Sequence, residues 1–211
     1  MPPKPKTEQE RKRIRTAILD AARELFIERG VEAVTMREIA RRVDYSPTAI
    51  YLHFKDKESL IRELCDTDFL ELADTLQEIG RISDPLERLY QLGLGYVRFA
   101  VEHPNHYRLM FMTPQILKNQ EGSAIEAGNP EQDAYAFLRA TVEEVYFSGC
   151  FRAELDDQEL IAQTLWAGLH GVCSLEITKK NDHSLNWRAF ESRIEMMQQS
   201  LMHGLLKNNV H

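Results

Sequence analysis

From Arg11 onward the apolar residues recur every three or four positions. Nearly every run opens on a capping residue or proline and closes on glycine or a polar break, a rhythm that restricts the chain to stacked helices. Ile14, Ile18, Ala21, Ala22, Leu25 and Phe26 define a first helix from Arg11 that Gly30 stops. Thr35, with Glu38 three residues on, forms a capping box for a short helix carrying Met36, Ile39, Ala40 and Val43. Ser46-Pro47 is a second start signal, cap then N1 proline, for a helix running to about Phe54. After a break at Lys55-Asp56-Lys57, a long helix carries Leu60, Ile61, Leu64, Phe69, Leu72 and Leu76. Asp84-Pro85 opens another through Tyr96, Val97 and Phe99; His103-Pro104 ends it, and a short helix follows over 105–112. Residues 113–130, with two Gly and two Pro, read as a long mobile connection. Helical stretches are predicted at about 131–148, 156–179 and 186–206. No segment alternates as a strand does and none repeats, so the expected fold is all-α with about nine helices.

The formal charge of −7 by itself argues against a general polyanion binder. Its distribution is uneven: residues 1–60 hold 13 Lys/Arg against 10 Asp/Glu, and residues 61–211 hold 13 against 23. Any nucleic-acid contact therefore belongs to the first quarter. Residues 1–10 read as a disordered basic tail; the extension from Lys4 to Arg13 suits solubility first, and phosphate attraction or a reach into a minor groove second. The two short helices from Thr35 to Phe54 meet at the turn Asp44-Tyr45-Ser46, with Ala40 at the crossing and Ile50 bracing the second helix. That leaves Pro47, Thr48, Tyr51 and Leu52 outward, on a helix able to enter a DNA major groove about 12 Å wide. Two ordinary core helices fit the same spacing.

The run VTMREIARRVDYSPTAIYLHFKDKESL (34–60), with the lead-in AARELFIERGVEAVT (21–35), resembles the DNA-binding region of TetR-family transcriptional regulators. The likeness covers roughly residues 11–65 and departs at the turn, where the family usually has glycine and this chain has Asp44. It implies a helix-turn-helix DNA-binding domain over 11–56 and a helical effector-binding and dimerisation domain over 57–211. Phosphate contacts are then expected from the helix starts at Thr35 and Ser46, from Tyr51 and His53, and from Lys57. Base edges fall to Arg37, Pro47, Thr48 and Leu52. Ala40, Ala49, Ile50 and Phe54 are expected to pack; His53 also suits packing, and Arg37 a solvated charge.

A short recognition helix reads few bases, so such modules act in symmetric pairs on pseudo-palindromic double-stranded DNA. In residues 160–177, Leu165, Leu169, Val172 and Glu176 share one face and Ala167, Gly168 and Gly171 another, so the helix needs burial on more than one side. The last helix carries a matching stripe of Phe190, Ile194, Met197, Leu201 and Leu205, and these two helices are expected to pair with their copies in a homodimer. The string Trp166-x-x-x-His170-Gly171 resembles a C-terminal domain subtype of the same regulators. Phe69, Tyr96, Phe99, His106, Met110, Phe111, Tyr135, Trp166 and His170 are candidates for lining an effector pocket for a largely apolar small molecule; a plain core accounts for the same pattern.

The sequence holds no phosphate loop, no G-x-S-x-G, no H-E-x-x-H and no C-x-x-C, so no enzyme, cofactor or metal is expected. The close pair His103 and His106 has no evident third ligand. Cys65, Cys150 and Cys173 form neither a disulfide framework nor a zinc pair. Lacking an apolar leader or membrane span, the protein is expected in the cytoplasm. The expected function is a DNA-binding repressor released by a small ligand. The alternative is a helical ligand carrier or protein-interaction module without sequence-specific DNA binding, favoured by Asp44 and the net negative charge.

Overall fold

A computed structural model describes residues 7–113 and 123–207. Residues 1–6 of the tail expected over 1–10, and residues 114–122 of the 113–130 connection, lie outside the described residues; Glu8, Gln9 and Glu10 of that tail are helical and not disordered. Nine α-helices are present among the described residues: α1 (Glu8–Arg29), α2 (Met36–Arg42), α3 (Pro47–Tyr51), α4 (Lys57–Gln77), α5 (Pro85–Glu102), α6 (Pro104–Met112), α7 (Ala134–Phe147), α8 (Gln158–Lys179) and α9 (Phe190–Leu205). A 3-10 turn, Glu78–Arg81, follows α4. The described residues include no strand, only an isolated bridge between Phe151 and Leu206.

Several element ends differ from the sequence-based expectation, by up to four residues, and three of them have a local cause. α1 begins at Glu8 rather than Arg11, because the Thr7 hydroxyl accepts a bond from the Glu10 amide and caps the helix early. α3 ends at Tyr51 rather than Phe54; the amides of His53 and Phe54 both turn back onto the Ile50 carbonyl, at 2.9 and 3.0 Å. α9 starts at Phe190 and not near 186, on an Ala189 cap that offers no side-chain acceptor.

The described residues fall into two compact units, Met1–Asp68 with Asn105–Ala124, and Phe69–Pro104 with Ile125–His211. In the first, Ile18, Phe26, Ile39, Ile50, Phe54, Leu60 and Leu64 form one buried cluster that also takes in Leu109 of α6. Full burial of side chains this size stabilises by about 1.5–3 kcal/mol each before entropy is counted. Arg23 of α1 pairs with the fully buried Asp68 of α4 (Nη2 to Oδ1, 2.5 Å) and with Asp20 at 2.8 Å.

The second unit packs around Leu89, Leu92, Leu138, Val142, Val145, Ile161, Ala162 and Leu165. Gly168 lets α9 approach α8: a Cβ there would stand 2.7 Å from Leu201 Cδ1. Gln198 donates to the Tyr90 carbonyl at 2.7 Å, tying α9 to α5. Leu165, Leu169, Val172, Ile194 and Leu205 are thereby buried within one protomer. The α9 stripe expected to meet a second copy is largely spent on the chain's own α8.

Candidate nucleic-acid interface and effector network

α3 is held by three local devices. Ser46 Oγ accepts from the Ala49 amide at 3.2 Å, Pro47 occupies the first helical position, and Ile50 is fully buried against the first unit's core. With Ile50 inward, Pro47 and Thr48 face out, and so do Tyr51 at 51% and Leu52 at 83% exposure. Two large side chains uncovered at consecutive positions mark a face that the protomer does not use. The turn ahead of α3 is closed by the Tyr45 amide on the Ala40 carbonyl (2.9 Å), with Asp44 at φ +57°. Asp44 has thus taken the left-handed conformation that a glycine adopts without strain, and the turn is intact.

At α2, Thr35 and Glu38 form the expected capping box: the Glu38 amide donates to Thr35 Oγ1 at 3.3 Å and the Thr35 amide to Glu38 Oε2 at 2.8 Å. Arg29, with help from Thr35, draws the Glu38 carboxyl down to about 2. Lys57, expected to meet a phosphate, donates to the Val31 carbonyl at 2.6 Å and is half-buried, so its side chain also ties the start of α4 to the α1–α2 link.

Two sets of cations stand out in the first unit. Arg15, Arg23, Arg29, Arg42 and Arg62 are each paired with a carboxylate. Arg37, Arg41 and Lys55 are exposed and, among the described residues, form no ion pair. Arg41 and Lys55 were not singled out by the sequence; the readable signal for Arg41 was its i+4 spacing from Arg37, which puts both on one face of α2.

Of the proposed effector residues, Tyr96, Tyr135, Trp166 and His170 come together in the second unit. Trp166 Nε1 donates to Tyr96 Oη at 3.0 Å, and Tyr96 Oη lies 3.2 Å from His170 Nδ1. His170 Nε2 lies 3.1 Å from Ser174 Oγ. With the indole donating, the tyrosine hydroxyl is left to donate to Nδ1 and the Nε2 proton to Ser174, a chain that suits a neutral imidazole. Burial pushes the His170 imidazole down in the same sense. The Tyr135 ring lies 5.6 Å from that of Trp166, and its hydroxyl donates to Glu159 at 2.5 Å. Burial, then Glu159, raises that phenol. Ser174 and Glu159 were missed by the sequence reading, being ordinary polar letters until the fold gives them neighbours.

Phe99 stacks on His103 at 5.0 Å in the same unit, which also holds the half-buried Phe69. His106, Met110 and Phe111 lie on α6 in the first unit, His106 Nδ1 at 3.6 Å from Asp68 and Phe111 against Tyr107. Burial raises the thiols of Cys65 and Cys173 to about 12, which favours their protonated form. No helix of the described residues is long and apolar enough to cross a membrane.

Comparison with known proteins agrees with this geometry. Residues 18–64 match the family described as bacterial regulatory proteins, tetR family, and residues 89–197 match a tetracyclin repressor-like C-terminal domain. The HTH-type transcriptional regulator UidR of Escherichia coli K12 is 35% identical over 88 residues, 42% of this chain and 39% of UidR. AcrR of Shigella flexneri is 44% identical over 107 residues, half of each chain. The transcriptional repressor KstR2 of Mycolicibacterium smegmatis is 29% identical over 163 residues, 74% of this chain and 77% of KstR2. The chain thus spans less than two thirds of UidR and of AcrR. Among solved structures, a TetR family transcription regulator from Marinobacter aquaeolei superposes with a TM-score of 0.72 at 17% identity, covering 96% of this chain and all of that one. The C-terminal match alone covers more than half of the sequence, and with the α2–α3 geometry it places this chain in the TetR family of bacterial regulatory proteins.

Proposed function

We propose that the protein is a homodimeric transcriptional repressor of the cytoplasm that binds a pseudo-palindromic operator and leaves it when a small, largely apolar molecule binds. The observation carrying this reading is the uncovered outer face of α3 on an otherwise packed head. Thr48, Pro47, Leu52 and Arg37 are assigned to base edges. Ser46, Thr35, Tyr51, His53 and Lys57 are assigned to the phosphate backbone, with Arg41 and Lys55 added from the structure. The head is taken as 11–56, and 57–211 as the effector and dimerisation domain. The left-handed turn at Asp44 weakens one of the two supports for a carrier without DNA binding; the other is the net charge of −7.

In the second unit, Tyr96, His170 and Trp166 supply a polar end for a ligand whose remainder meets aromatic surface. Binding there favours a state whose two α3 helices no longer match half-sites about 34–36 Å apart. α4 contributes residues to both units and is the continuous element through which that bias passes. Selection of duplexes from random sequence, followed by a salt titration, tests the reading. A selected palindrome with log K falling steeply against log[salt] supports it; a flat dependence with no consensus sinks it. Thr48→Ala should change base preference, and Lys57→Ala should weaken all sequences alike.

A further inference from the structure

The Arg15 side chain fixes one face of α1 against the exit of α3. Its Nη1 donates to the His53 carbonyl at 2.6 Å, its guanidinium pairs with Glu63, and it lies 4.3 Å from the centroid of the Phe54 ring. Arg11 and Lys12 sit four and three residues earlier, on the same stripe, displaced by about 6 and 4.5 Å toward the helix start. Both are exposed, and among the described residues neither forms an ion pair, unlike Arg15, Arg23, Arg29, Arg42 and Arg62. Lys55, also exposed and without an ion pair, stands two residues beyond His53. Of the nearby acids, Glu63 is taken by Arg15, and Asp56 caps α4 by accepting from the Ser59 amide at 2.7 Å. That leaves Glu8 on this stripe against Arg11, Lys12 and Lys55.

We infer that this stripe of α1 is a second DNA-backbone contact, in which Arg11 and Lys12 grip phosphates flanking the half-site read by α3. The inference rests on the DNA-binding reading above and extends it beyond the helix-turn-helix. The displacement along α1 is less than about two base-pair steps of 3.4 Å, a span that these long side chains can bridge to a neighbouring phosphate. The contact carries no base information; it lengthens the footprint and steepens its salt dependence.

The test uses the full chain and its selected operator in two lengths, one ending at the outermost base protected around α3 and one carrying a further half turn at each end. The protein should bind the longer duplex roughly tenfold more tightly, whatever the flank sequence. Arg11→Gln with Lys12→Gln should abolish that gain, leave the short duplex unaffected, and make the salt slope shallower by about 0.9 for each phosphate no longer neutralised. Arg13→Gln removes an equally exposed cation from the opposite side of the same helix and should change neither quantity. Equal weakening on both lengths, an unchanged slope, a flank-sequence dependence, or the same weakening from Arg13→Gln overturns the inference. Unfolding midpoints of all variants establish that each is folded. A protein that selects an operator but gains nothing from flanks rules out the α1 grip alone; one that selects no duplex rules out the DNA-binding reading with it.

Discussion

Asp44 stands at φ +57° in the turn between α2 and α3; the remaining positive-φ residues of the described chain are glycines. An L-residue with a Cβ is strained there, so Asp44→Gly should stabilise the protein by about 0.5–1 kcal/mol, net of the entropy glycine adds to the unfolded chain. A urea midpoint that rises with an unchanged slope and unchanged operator affinity is the expected outcome. The capping box at α2 gives a second residue-level expectation. Arg29 first, and Thr35 second, bring Glu38 from 4.5 to about 2. With the folded value below the unfolded one, this contribution is complete above the unfolded value and is lost as pH falls through about 2. The Thr35 amide resonance, whose acceptor is Glu38, should therefore hold steady at neutral pH and titrate near the lower value; a midpoint near 4.5 would deny the interaction. The box itself was legible in two letters at a spacing of three. Arg29 was not, because it reaches Glu38 only after the chain has turned between α1 and α2.

At the level of elements, periodicity identified which faces are apolar and left open what covers them. The Ile194–Leu205 stripe illustrates this: its spacing was readable, yet Gly168 and Gln198 bring it onto α8 and α5 of its own chain. The Arg23–Asp68 pair shows the complementary blind spot. Two charges 45 residues apart read as solvated, and only the packing of α1 on α4 reveals that both are buried. Asp68→Asn leaves the buried Arg23 with only the exposed Asp20 as a charged partner, so it should cost about 3 kcal/mol. The double change Arg23→Met with Asp68→Leu should recover most of that loss, since an apolar pair of similar size needs no dehydration. Chemical denaturation of the three variants checks the order; a double variant as weak as the single one would mean that the site cannot accept apolar packing.

Across the whole molecule, the uncovered apolar side chains include a row on α8 and one residue on α9 that the proposed dimer would cover. On α8, Leu160 is 58% and Leu175 46% exposed, in line with Thr164, Ala167 and Gly171; on α9, Met196 is 71% exposed above Ser200 and Gly204. An added Cβ at Gly171 or Gly204 meets nothing within 4 Å in the protomer. In contrast to Gly168, nothing in the single chain crowds these glycines, which leaves room for a second backbone, as the proposed dimer requires. The sequence grouped Ala167, Gly168 and Gly171 together because all three are small; the fold separates them by which neighbour each admits. Gly171→Gln should accordingly leave the helical signal of the protomer intact while preventing the approach of a second α8. Sedimentation equilibrium should then show a single chain at concentrations where the parent protein is a dimer. Operator affinity should fall roughly a hundredfold or more, because the second recognition helix no longer binds at the high local concentration that the first provides. A Gly171→Gln protein that stays dimeric and keeps its operator affinity would move the interface off this face and leave the exposure of Leu160, Leu175 and Met196 without a partner.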